Sequence, residues 1–311
     1  MFRVLICDKV SEKCVAKLRA AGFQLDFVYK PSIEDLSKII GRYDAVIVRS
    51  STRITREVID RASRLKVIAR AGAGLDNIDV SYAVSRGIAV LNAPEALSIA
   101  VAEHVFALLL TIFRNICLAN NSMKRGEWIK HALLGRELFG KTIGIIGLGR
   151  IGVEVAKRAK AFGMNVIAYI RRPKKIVEEL NISATFSLEE LLRNSDIITL
   201  HIPLTPQTRH MIGEREIALM KDGAVIINTS RGAVIDGKAL LKGLKSGKVL
   251  AAGIDVWVNE PPKETWELEL VKHPRVIATP HIGSMTREAQ DRVGEIIAQK
   301  IIDYFKINID K

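Results

Sequence analysis

Short runs of β-branched and aliphatic residues alternate along the whole chain with longer stretches in which apolar positions recur every three or four residues. The runs read as buried strands and the stretches as amphipathic helices, and their alternation is the pattern of parallel sheets covered by helices. One set of runs comprises residues 4–7, 45–48, 67–69 and 88–91; a second comprises 142–146, 166–170, 197–201, 224–228, 251–255 and 276–279. The pattern predicts two α/β domains. Between the sets, residues 96–122 are apolar at Val101, Val105, Leu108, Leu109 and Ile112, among others, long enough for one helix bridging the domains. A final amphipathic helix is predicted over 288–305, after the second sheet is complete. If that helix returns to the first domain, the second is an insertion, roughly 97–285, and the chain crosses twice beside a cleft suited to a hinge.

With 311 residues the chain is long for one core, and 48% hydrophobic residues suffice to pack two. No run reaches the ~18 apolar residues of a membrane span, and residues 1–9 read as a charged strand rather than a signal segment. Cys7, Cys14 and Cys117 are odd in number and lack metal-ligand spacing. They are expected to be reduced packing residues of a cytoplasmic protein, with no metal bound and no membrane partner. Lys and Arg number 47 against 34 Asp and Glu, a net charge of +13 that favours encounter with anions. The basic residues are scattered and aromatics are only 5%, which argues against nucleic acid and for small anionic ligands over an ion-pair-rich surface.

The chemistry gathers in the second domain. Gly147-Leu148-Gly149-Arg150-Ile151-Gly152 lies between a strand-like run and a helical pattern. In that setting the first glycine suits a tight turn, the second lets backbone approach a diphosphate, and the third permits close helix–sheet packing. The following helix would aim its unpaired N–H groups at the same anion. Arg231, Glu260 and His281 fall near the ends of late strands, where open α/β sheets bind ligands. Taken singly, an Arg is commonly a surface charge, a Glu before Pro-Pro a solvated turn residue and a His structural. Together, in this order and after the glycine fingerprint, they are specific.

At these residues the chain resembles the D-isomer-specific 2-hydroxyacid dehydrogenase family. The resemblance extends over residues 70–79, Asn92-Ala93-Pro94, Val101-Ala102-Glu103-His104 and the stretches around Arg231 and His281. Residues 48–52 and 288–290 suggest the branch acting on D-3-phosphoglycerate. The resemblance implies a flavodoxin-like substrate domain, 1–96 plus 286–311, and a Rossmann dinucleotide-binding domain, 97–285, both doubly wound parallel sheets. It implies an NAD(P)-dependent oxidoreductase of serine biosynthesis, converting D-3-phosphoglycerate to 3-phosphohydroxypyruvate. His281 would be the base for the substrate hydroxyl, Glu260 its charge partner, and Arg231 the group that holds the substrate carboxylate. The backbone of Ala73 and Gly74 would also meet that carboxylate, and Arg49, Ser50 and Arg70 the phosphate. Cofactor contacts would come from Gly147, Gly149, Arg150, Ile151, Gly152, His201, Ile202, Pro203, Thr229, Ser230, Arg231, Asp255, His281, Gly283 and Ser284, with Asp255 at the nicotinamide amide.

Two departures bear on specificity. Where NAD-using relatives carry an acid at the end of the second strand, this chain has Ile170-Arg171-Arg172, so NAD and NADP both remain open. Leu97 stands where many phosphoglycerate relatives have Asn, which leaves glyoxylate or hydroxypyruvate reduction as the alternative. A different class is a corepressor-like module that senses dinucleotide without turnover. The family implies a homodimer paired through the nucleotide domains, and the chain is expected to lack the serine-sensing extension of longer members.

Overall fold

The computed structural model describes residues 1–307, and the chain divides into two compact units, Met1–Ser98 with Ser284–Lys311 and Ile99–Gly283. In the first, strands β1 (Arg3–Ile6), β2 (Gln24–Phe27), β3 (Ala45–Val48), β4 (Val67–Arg70) and β5 (Ala89–Asn92) form a parallel sheet in the order β2-β1-β3-β4-β5. Helices α1 (Glu12–Ala20), α2 (Ile33–Ile39), α3 (Arg56–Asp60) and α4 (Val80–Ser85) connect them. Ser11, Ser32 and Asp79 cap α1, α2 and α4 by accepting the N–H of Cys14, Asp35 and Tyr82. All four residues of β3 are buried, as expected where helices cover both sheet faces.

The second unit opens with α5 (Ser98–Phe113) and α6 (Ile116–Lys124). The single helix expected over 96–122 is therefore two, bent by 63° at a break where Asn115 adopts φ +53°. Asn tolerates this left-handed conformation better than most residues, and apolar periodicity carries no sign of it. A seven-stranded parallel sheet follows, built from β6 (Thr142–Ile146), β7 (Asn165–Tyr169), β8 (Ser183–Thr185), β9 (Ile197–Leu200), β10 (Ala224–Asn228), β11 (Val249–Ile254) and β12 (Val276–Ala278). Its order is β12-β11-β10-β9-β6-β7-β8. The intervening helices are α7 (Arg150–Ala161), α8 (Lys175–Glu179), α9 (Leu188–Asn194), α10 (Glu214–Leu219), α11 (Gly237–Ser246) and α12 (Thr265–Lys272). Two apolar clusters fill this unit, one containing Leu200, Ile226 and Leu244, the other Leu109, Ile145 and Val155. Among the described residues no single helix is long and apolar enough to cross a membrane.

The last helix, α13 (Arg287–Ile307), packs in the first unit. Phe305 meets the ring of Phe2 at 4.4 Å between centroids, and Lys300 reaches Glu95 at 2.7 Å. Gly294 brings α13 close to α1, because a Cβ there would stand 2.1 Å from Ser11 Oγ and 2.9 Å from Cys14 Cβ.

Two strands, β2 and β8, lie outside the runs read from the sequence, and both are sheet edges. Gln24-Leu25-Asp26-Phe27 and Ser183-Ala184-Thr185 are largely exposed or half-buried, so neither needs the continuous apolar run that marks an interior strand.

Candidate active site

The glycine turn lies at the carboxyl end of β6, where β6 and β9 separate to meet different helices. Gly147 has φ +99°, and a Cβ on it would press against His201 O at 2.6 Å. A Cβ on Gly152 would strike Gly147 O at 2.2 Å, so the start of α7 can approach the turn only without one. Gly149 faces open space, and no side chain among the described residues caps α7. The first N–H groups of the helix are thus left toward that space. Two further groups suit a polar ligand: His201 Nδ1 and Thr229 Oγ1, after β9 and β10, are buried and have no hydrogen-bond partner among the described residues. Burial pushes the His201 imidazole down to about 3, so it is neutral near pH 7, and its Nε2 lies 2.9 Å from Thr199 Oγ1. The sites for a dinucleotide diphosphate and for its flanking polar groups therefore fit the residues present.

Beyond β10 the chain turns through Ser230 and Arg231. Asn228 Oδ1 accepts Ser230 N–H and Oγ–H, and Asn228 Nδ2 donates to Arg231 O, which fixes the turn. Gly232 lets it approach the segment after β11, since a Cβ would meet the Trp257 carbonyl carbon at 2.2 Å. Arg231 Nη1 donates to Ser230 O at 2.7 Å.

Glu260 and His281 meet directly: His281 Nδ1 is 2.9 and 2.8 Å from the two Glu260 oxygens. Burial raises the Glu260 carboxyl, but the hydrogen bond and charge of His281, the Trp257 N–H and the charge of Arg231 outweigh it and hold it below the usual range. An ionised carboxylate only accepts, so Nδ1 carries the proton and Nε2 faces away from Glu260.

His281 has φ +55°, a left-handed conformation uncommon for a residue with a Cβ. Asp255, 1% exposed, holds it there. The Asp255 carbonyl accepts His281 N–H at 2.8 Å, and its carboxylate accepts Ile282 N–H and Gly283 N–H, each at 2.8 Å. Thr279 Oγ–H also donates to Oδ1, and His104 Nε2 lies 3.3 Å from the same oxygen. Burial opposes ionisation of Asp255, yet these donors prevail and bring its carboxyl down to about 2. Its carboxylate, expected at the nicotinamide amide, is engaged with the loop that carries His281. His104 and Thr279 had no assigned part in the sequence reading, because nothing local marks a helix residue and a strand-end hydroxyl as neighbours of one carboxylate.

In the first unit a hollow of about 380 Å³ opens at the carboxyl ends of β1, β2 and β3, lined by Lys9, Tyr29, Lys30, Arg49, Ser50 and Met285, among others. Of the residues expected at the substrate, Arg49 and Ser50 line this hollow, whereas Arg70, Ala73 and Gly74 do not. Burial lowers the pKa of the Arg49 guanidinium despite Asp8, and its Nη2 lies 3.3 Å from Met285 Sδ. Asp8 Oδ2 accepts the N–H groups of Arg49 and Thr52, while Asn77 Nδ2 donates to the carbonyls of the same two residues. The turn is clamped from both sides. Lys9 and Lys30 join Arg49 because β1, β2 and β3 are neighbours, so three adjacent strand ends each present a cation.

Residues 106–283 match the family described as D-isomer specific 2-hydroxyacid dehydrogenase, NAD binding domain. The chain is 48% identical over 302 residues to a D-3-phosphoglycerate dehydrogenase of Methanocaldococcus jannaschii, covering 97% of this chain and 57% of that protein. It is 50% identical over 268 residues to a hydroxypyruvate reductase of Thermotoga maritima, covering 86% and 87% of the two chains. A D-lactate dehydrogenase of Aquifex aeolicus, solved with NAD and lactic acid, superposes with a TM-score of 0.87 at 33% identity, covering 99% and 96%. The chain thus spans little more than half the length of the phosphoglycerate dehydrogenase it matches. By family match, identity and coverage, it belongs to the D-isomer-specific 2-hydroxyacid dehydrogenase family.

Proposed function

We propose that the protein is an NAD(P)-dependent oxidoreductase that interconverts D-3-phosphoglycerate and 3-phosphohydroxypyruvate. The observation that carries the reaction is the His281–Glu260 pair. With Nδ1 protonated toward an ionised carboxylate, Nε2 is the base that takes the hydroxyl proton as the C–H electron pair leaves as hydride, and in reduction it returns that proton. When bound, the dinucleotide supplies the nicotinamide ring that accepts or gives the hydride. Gly147, Gly149, Arg150, Ile151 and Gly152 would hold its diphosphate, with His201 and Thr229 among its polar neighbours. Arg231 binds the substrate carboxylate through charge-assisted hydrogen bonds that a Lys would not reproduce.

The hollow with Lys9, Lys30 and Arg49 supports a phosphorylated substrate, since three cations from adjacent strand ends suit a dianion better than glyoxylate. The reading that favours hydroxypyruvate reduction rests on the Thermotoga relative, 87% of whose length is matched. For the cofactor we favour NADP. Arg171 and Arg172 are exposed just beyond β7, in no ion pair among the described residues, and a ribose phosphate would pair with them. Ile116, Leu118, Met123, Trp128 and Leu134 are half to nine-tenths exposed along and after α6, and a second copy of the chain is the proposed cover.

Replacing His281 by Ala should lower kcat by about 10²- to 10⁴-fold while dinucleotide affinity persists; retained turnover would remove it as the base. Because the Glu260 carboxyl is depressed, its stabilisation is complete above its unfolded pKa of about 4.3 and is lost as pH falls through the lower folded value. Glu260→Gln should therefore flatten the stability curve below about pH 4, and an unaltered acid limb in urea titrations would show that Glu260 is not held ionised.

Arg49→Ala should raise KM for phosphohydroxypyruvate by roughly tenfold or more and change that for hydroxypyruvate little. Equal effects on both would take Arg49 out of phosphate recognition.

Calorimetry should show adenosine 2′,5′-bisphosphate binding more tightly than ADP, with the preference lost in Arg171→Ala/Arg172→Ala. Preference for ADP in the unaltered protein would indicate NAD. In sedimentation the protein should be a dimer that Leu118→Asp weakens; a monomer at all concentrations would refute the proposed pairing.

A further inference from the structure

Glu267 is a titratable group that the proposed chemistry does not use. It is the third residue of α12 and is fully buried. Its Oε1 accepts Asn259 N–H at 2.9 Å; its Oε2 accepts Asn259 Nδ2 at 2.8 Å and the N–H groups of Lys263 and Glu264 at 3.2 Å each. Burial raises this carboxyl, and the donations from Asn259, Glu264 and Lys263 more than reverse the effect, leaving it below the usual range. A carboxylate removed from water is tolerated only where such donors replace its hydration.

Helix capping alone accounts for one of these four bonds, that from Glu264 at the helix start. The other donors lie outside the helix and flank Glu260: Asn259 precedes it and Lys263 follows it. The same segment is tied again at Trp257, whose N–H donates to Glu260 Oε1 at 3.3 Å and whose indole Nε1 donates to Thr279 O at 3.1 Å, two residues before His281. We propose that Glu267 is a positioning residue: it fixes the backbone on both sides of Glu260 so that this carboxylate stays on His281 Nδ1. The proposal rests on the reading of Glu260 as the partner of the base. A Gln at 267 keeps one accepting oxygen and turns an N–H group toward other N–H donors, so at least one of the four bonds is lost.

The test uses the purified chain and its Glu267→Gln, Asn259→Ala and Glu260→Gln variants, with phosphohydroxypyruvate and hydroxypyruvate as substrates and the proton resonance of His281 Nδ1–H as a readout independent of turnover. Glu267→Gln should lower kcat about tenfold or more and leave KM within about twofold, because it displaces a group at the reacting centre and no substrate-binding cation. The downfield Nδ1–H signal should weaken or move in parallel. Asn259→Ala, which removes the side-chain Nδ2 donor and keeps the backbone N–H, should give the same signature more weakly, and it carries the test if Glu267→Gln does not fold. An unchanged kcat and an unchanged Nδ1–H signal in folded Glu267→Gln would overturn the proposal. Glu260→Gln separates the two ideas: full turnover there defeats the reading of Glu260 itself, whereas low turnover there with unaltered Glu267→Gln defeats only the positioning role.

Discussion

Three buried carboxylates determine where the strand-end loops lie, each by accepting backbone N–H groups that would otherwise need water. Asp8 takes Arg49 and Thr52, Asp255 takes Ile282 and Gly283, and Glu267 takes Asn259, Lys263 and Glu264. Backbone donors must be satisfied wherever they are buried, and a carboxylate satisfies several at once. The cost of burying the charge is met by the same bonds, so loop position and ionisation support each other. Loops that a parallel sheet leaves irregular at its carboxyl ends thereby become rigid enough to hold reacting groups.

The two units reach this result on related sheets. In each, the interior strands are apolar on both faces because helices cover them, and polar residues collect where the strands stop. Strand order then decides which residues become neighbours. Lys9, Lys30 and Arg49 converge because β1, β2 and β3 are adjacent, and Arg231, Glu260 and His281 follow three consecutive strands of the larger sheet. Glycines permit the closest approaches, Gly152 against the Gly147 turn and Gly232 against Trp257.

The interior strands and the residues of the glycine turn were legible in the sequence, since a continuous apolar run and a glycine spacing are local signals. The Glu260–His281 contact was legible only through resemblance, since the two lie 21 residues apart and nothing local joins them. The edge strands β2 and β8 were not legible, and missing β2 hid Lys30, whose place beside Arg49 depends on it. The break at Asn115 escaped because apolar periodicity continues across it. The backbone contacts of Asp255 and Glu267 were not legible for one reason: a carboxylate that binds backbone N–H groups shows no partner side chain in the sequence.

At the larger sheet the loop positions depend on Asp255, Glu260 and Glu267 being ionised in the folded protein. Carbon-13 titration of the Asp and Glu side-chain carboxyls measures this directly. Asp255 should titrate at about 2, and Glu260 and Glu267 below the ordinary glutamate value of about 4.3. Titration of Asp255 or Glu267 at or above ordinary carboxylate values, in protein that is still folded, would contradict it.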